Sequence, residues 1–164
     1  MKNTRTILLW VVALFVLGFV NYLTYQREEL ILNGRMVLLE LAPVDPRSLI
    51  QGDYMRLNYA ISNEIADRTE LERGFVVIRL DENNVAHFAR IYNGISPLAD
   101  NELLLPFRAQ FFNANVGPES FFFQEGHAEF YEEAKYGELR VSESGDLVLV
   151  GLHDANFNLL GPPK

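Results

Sequence analysis

The chain has 164 residues, no cysteine and a formal net charge of −8. Lack of cysteine excludes disulfides, thiolate nucleophiles, zinc–thiolate centres and iron–sulfur ligation. All 22 acidic residues and all but two of the 14 basic ones follow Gln26, leaving that part at −10. So acidic a surface argues against nucleic acid and against attraction to anionic lipid.

Between Thr6 and Gln26 there is no charged residue, and Ile7 to Val20 contains no polar side chain. As a helix these residues span ~31 Å, matching the ~30 Å hydrocarbon core of a bilayer. Trp10, Tyr22 and Tyr25 suit the interfacial belts. Lys2 and Arg5 precede the segment, whereas Glu28 and Glu29 follow Arg27 closely. By the positive-inside rule the amino terminus is cytoplasmic and the following domain lies outside. Only bulky residues surround Gly18, so the segment is expected to be a retained anchor rather than a cleaved signal. The division expected is residues 1–26 as cytoplasmic tip and transmembrane anchor, and 27–164 as one extracytoplasmic domain, a size that builds a core without staples.

Residues 36–41 (MVLLEL) read as a short strand, closed by the Pro43-Val44-Asp45-Pro46 connector. Residues 53–61 alternate as a half-buried strand, with Met55, Leu57, Tyr59 and Ile61 on one face and Tyr54, Arg56, Asn58 and Ala60 on the other. Residues 62–72 form a short helix or loop, with Ile65 and Leu71 as core contacts. Residues 75–80 and 85–92 form a hairpin around Asp81-Glu82-Asn83-Asn84, where Asn tolerates a positive φ. Residues 102–112 form a strand interrupted or edged by Pro106. Residues 127–136 are the best helix candidate, stopped by Gly137, and 138–142 with 146–152 make a last hairpin. The class predicted is mainly β, a β-rich α+β domain after one transmembrane helix.

Catalytic patterns are scarce. His87, His127 and His153 are far apart and form no short-spaced metal motif, so structural or surface roles are expected. No serine stands in Gly-x-Ser-x-Gly, and there is no glycine-rich phosphate loop. Glu129, Glu132 and Glu133 read as a solvated face rather than paired catalytic carboxylates. Phe107, Phe111, Phe112 and Phe121 to Phe123 are either core or an apolar surface for a membrane partner. No cofactor or metal is expected.

At Gly52-Asp53-Tyr54-Met55-Arg56-Leu57-Asn58-Tyr59 every fixed position of G-D-Y-x-x-L-x-Y is filled. The sequence resembles the GDYXXLXY family of bacterial membrane-anchored proteins, a likeness that extends to Pro43 through Leu49, to Phe88-Ala89-Arg90, to Phe123-Gln124-Glu125-Gly126, to the expected Tyr131-Glu132-Glu133-Ala134 helix and to the closing hairpin. The resemblance implies an inner-membrane protein with a periplasmic domain that keeps company with polytopic membrane proteins. Physically, Gly52 permits a tight turn, Asp53 caps it, and Leu57 and Tyr59 are core residues of the strand that follows. Tyr54 faces the other way, so with Asp53 and Arg90 it is a candidate for lining a small cleft.

A second resemblance is to type I signal peptidases, through Leu49-x-x-Gly52-Asp53 after an anchor and a later hairpin bearing Arg90. It would put the nucleophilic serine at Val44 and the general base at Ala89, and neither side chain can do that chemistry. Ser48 is the one nearby hydroxyl, and no lysine occurs between Lys2 and Lys135. The leading expectation is a non-enzymatic accessory protein docking on a polytopic membrane partner. Behind it stand a ligand-binding or sensory domain and, third, a hydrolase using Ser48 or a carboxylate pair.

Overall fold

The computed structural model describes residues 2–42, 54–110 and 113–163. Helix α1 (Lys2–Asn33) is uninterrupted over 32 residues. It contains no proline, and within its apolar stretch Asn21 Nδ2 donates to Leu17 O at 2.8 Å and Thr24 Oγ1 to Val20 O at 3.0 Å. These bonds satisfy the polar groups locally, as a lipid environment demands. From Ile7 to Asn33 the helix is long and apolar enough to cross a bilayer. It runs seven residues past Gln26, the boundary expected from charge. Gly34 ends it, its N–H bonding Leu30 O at 2.9 Å. A side chain at Gly34 would strike the Leu30 carbonyl and sit 3.1 Å from Arg140 Cβ.

The β domain starts at the next residue. Its strands are β1 (Arg35–Glu40), β2 (Tyr54–Arg56), β3 (Arg73–Leu80), β4 (Ala86–Ile91), β5 (Glu102–Gln110), β6 (Asn113–Asn115), β7 (Ser120–Phe122), β8 (Tyr136–Val141) and β9 (Leu147–His153). Helix α2 (Ala60–Ala66) follows β2. Among the described residues the strands form three antiparallel arrangements, ordered β1-β8-β9, β2-β7 and β4-β3-β5-β6. The first and third are joined where Leu38 N–H bonds Asn84 O at 2.9 Å.

Period-two alternation selects the core. Val37 and Leu39 of β1, Val76, Ile78 and Leu80 of β3, Leu103, Leu105 and Phe107 of β5 and Leu139 and Val141 of β8 meet in one cluster, closed by Ile61 and Ile65 of α2. Gly74 lies opposite Phe107, where a Cβ would come within 3.0 Å of the ring. Pro106 is tolerated because β6 pairs only Arg108 to Gln110, leaving β5 with β3 alone at the proline. Asn84 takes φ 62° in the first hairpin and Gly145 φ 90° in the last, as the turn residues anticipated.

Three expectations change. The strand over 53–61 keeps its alternating burial, but only Tyr54–Arg56 pair with β7, and α2 starts at Ala60. Leu71 is 55% exposed and Ile65 alone of that pair enters the core. The helix over 127–136 is a single 3-10 turn, Ala128–Tyr131. Tertiary contacts override its periodicity: Tyr131 packs on Phe121 and Phe123 at 5.1 and 5.3 Å, while Tyr136 and Gly137 are taken by β8 to pair Glu40 and Leu39.

Candidate functional site

Of the motif, Gly52 and Asp53 lie outside the described residues, as do Val44, Ser48, Phe111 and Phe112. The remainder has a defined place. Tyr54 is half-buried, its ring 5.7 Å from that of Phe122 across the β2–β7 pair. Leu57 and Tyr59 are buried in the core. Leu57 N–H bonds Glu119 O at 2.8 Å, and the Tyr59 hydroxyl donates to Pro118 O at 2.9 Å. Burial pushes the Tyr59 phenol far above its ordinary range, so it acts as a neutral donor. Two glycines make room for its ring: a Cβ at Gly117 or Gly137 would lie 3.2 or 3.3 Å from it. Leu57 and Tyr59 therefore have the core role that their spacing implied, and Tyr59 ties the motif to the chain leading into β7.

The outward residues of the same segment face a polar cleft of about 570 Å³. Arg56, Asn58, Asn63, Asn113, Asn115 and Glu119 line it. Asn115 Nδ2 donates to Glu119 Oε1, and Asn115 Oδ1 accepts from Gly117 N–H. The wall offers hydrogen-bond donors and acceptors with one cation and one anion, a set suited to holding a small polar molecule. Ser62 also borders the cleft, and no basic side chain that would activate it is hydrogen-bonded to it among the described residues.

Of the residues expected to line a cleft, Asp53 lies outside the described residues, and neither Tyr54, which faces Phe122, nor Arg90 lines this one. In the β3–β4 pair the register steps from Val77↔Arg90 to Ile78↔Phe88, leaving Ala89 as a bulge. Phe88 packs against the core under the Arg68 guanidinium, 4.8 Å above its ring. Arg90 is turned to the outer face, where Nη1 donates to Glu102 Oε1 at 2.7 Å and Nη2 to Pro97 O at 3.3 Å. Arg79 adds a second cation at 3.5 Å, and Glu102 Oε2 accepts from Ala99 N–H at 3.2 Å. The Arg90 bond, with the Ala99 bond behind it, holds the Glu102 carboxyl down at about 2. Arg90 thus shapes the β4–β5 loop.

Sequence reasoning did not anticipate a second charged group. Glu138 and His153 are buried on neighbouring strands, with His153 Nε2 2.7 Å from Glu138 Oε2 and Nδ1 2.9 Å from Phe157 O. Both ring nitrogens lie within hydrogen-bond distance of an oxygen, which fixes the plane of the ring. Arg140 completes the group, its Nη2 3.0 Å from Glu138 Oε1 and its Nη1 3.5 Å from Gly34 O at the end of α1. The signal was available only in retrospect: Glu138 and Arg140 stand two apart in a strand, on one face. Among the described residues no three of His, Asp and Glu gather as a metal site. The solvated reading of Glu129, Glu132 and Glu133 holds, since all three are exposed.

One apolar helix leads directly into a β-rich domain whose motif strand is pinned to its neighbours by a buried tyrosine. The chain belongs to the GDYXXLXY protein family, whose model matches residues 16–152. No curated protein and no solved structure matches the chain.

Proposed function

We propose that this protein is a single-span, non-enzymatic accessory protein of a bacterial inner membrane, its amino terminus cytoplasmic and its β domain periplasmic, that docks on a polytopic membrane partner. The observation that carries this reading is the top of α1. Beyond the Arg27-Glu28-Glu29 charges the helix still presents Ile31 and Leu32, 40% and 78% exposed, whereas Leu30 turns toward the domain. Lipid ends near those charges, so these two side chains are covered by neither bilayer nor domain. The charge distribution around the span and the usual company of the family support the same reading.

A photo-crosslinker placed at Ile31 or Leu32 of the tagged full-length chain, activated in native membranes, is expected to capture a multi-span protein that also co-purifies in mild detergent. Recovery of the chain alone by both routes overturns the proposal. The polar cleft beside the motif favours a second reading, a sensory domain for a small polar solute. That reading predicts a thermal upshift with some member of a solute panel, abolished by Asn58→Ala.

A further inference from the structure

We infer that the loop between β4 and β5, residues 92–101, rests on the outer leaflet beside the anchor, with Ile95 and Leu98 entering the lipid interface. The inference rests on α1 spanning the bilayer, and deepens that reading by giving the domain a second membrane contact. From Tyr92 to Ala99 the loop is uncharged, in a domain that is otherwise acidic. Ile95 at its tip is 86% exposed and Leu98 is 38% exposed.

This exposure is built in. Asn93 Oδ1 accepts the N–H groups of Ile95 and Ser96, each at 3.1 Å, and Gly94 supplies the φ of 78° that the turn needs. Arg90 and Glu102 hold Pro97 and Ala99, and Arg35 Nη1 donates to Asp100 O at 2.8 Å. Five polar contacts thus hold the loop so that it presents an isoleucine to the outside.

The loop also lies at the membrane end of the domain. Tyr92 N–H bonds Phe75 O at 2.9 Å, and Gly145, in the β8–β9 turn, approaches Phe75 so closely that a Cβ there would be 3.1 Å from the ring. That turn and Leu98 share one groove of about 1260 Å³ with Leu23, Gln26 and Arg27 of α1. Leu23 belongs to the uncharged span, so the groove descends to the level where the helix leaves the hydrocarbon. The contact is apolar and shallow: Glu143 and Asp146 on the neighbouring turn keep it within the interfacial layer and favour a zwitterionic surface.

The chain has one tryptophan, Trp10, which makes a depth measurement direct. Full-length protein is reconstituted in phosphatidylcholine vesicles with and without bromine on the acyl chains. Three forms are compared: the natural one, Trp10→Phe with Ile95→Trp, and Trp10→Phe with Leu159→Trp. Leu159 is 64% exposed and packs by Gly151, toward the opposite end of β9 from its turn, which makes it the water-side control. Bromine is expected to quench Trp10 and the tryptophan at position 95, with a blue-shifted emission for the latter, and to leave the one at 159 unchanged. Quenching at Trp10 without quenching at 95 overturns the loop contact and leaves the anchor standing. An unquenched Trp10 removes the anchor itself. Capture of a protein by a photo-crosslinker at position 95 in native membranes, together with no quenching in vesicles, assigns the loop to a protein and likewise overturns the inference.

Discussion

Phe88 and Arg90 stand two apart on β4 yet face opposite sides of the sheet, because Ala89 bulges out of the ladder between them. One enters the core and the other meets Glu102. In a regular strand both would share a face, so this one extra residue separates a packing function from a loop-shaping one.

The Arg90–Glu102 pair makes a pH prediction. Glu102 is held at about 2 against an ordinary 4.5, chiefly by the Arg90 hydrogen bond. A depressed folded-state value means that the stabilisation is complete above pH 4.5 and is lost as pH falls from there toward 2. Thermal unfolding followed across that window is expected to fall more steeply for the natural protein than for Glu102→Gln, which starts lower and runs flatter. Parallel curves would show that another carboxylate governs the acid limb.

Tyr59 predicts two unequal losses. Tyr59→Phe removes the hydroxyl bond to Pro118 O and should cost about 1 kcal/mol. Gly137→Ala adds a methyl 3.3 Å from the ring and should cost about 1–3 kcal/mol. Urea unfolding of the full chain in detergent measures both. Gly137→Ala should cost less when made in a Tyr59→Leu background, since the clash partner is gone.

Glu138 is buried between His153 and Arg140. Glu138→Ala should destabilise by about 3–5 kcal/mol by leaving the buried His153 ring and the half-buried Arg140 guanidinium without their carboxylate. Glu133→Ala, in the exposed turn after the 3-10 segment, should stay within about 0.5 kcal/mol of the natural protein. Equal effects from the two would refute a structural role for the buried group.

Gly34→Val should loosen the junction of helix and domain, because its side chain would meet Leu30 and Arg140. The expected readouts are faster proteolysis around residues 30–36 and a loss of about 1–3 kcal/mol. Gly18→Ala is the control: nothing lies within 4 Å of an added Cβ there.

The hairpins were legible because their signals are local: Asn84 and Gly145 have the backbone freedom their turns require, and the strands flanking them alternate. The inward set of Met55, Leu57, Tyr59 and Ile61 was legible for the same reason. Residues 127–136 misled because helical spacing of Phe130, Tyr131 and Ala134 competes with non-local partners, and stacking on Phe121 and Phe123 cannot be seen from spacing. The candidate site was half legible. The motif strand identified the core pillar, Leu57 and Tyr59, but the cleft wall comes from Arg56 and Asn58 rather than from Tyr54 or Arg90, and at Arg90 a bulge reverses the side chain without any change in composition. The Glu138–His153 pair, 15 residues apart in sequence, depends on strand register across β8 and β9.

Only Gly34 separates the last turn of α1 from β1, and that residue is held from both sides, by Leu30 and by Arg140. The joint therefore works as a drive shaft rather than a tether. With no slack segment at the joint, a twist or tilt of the helix is expected to be passed to the β body, and a torque on that body back to the helix.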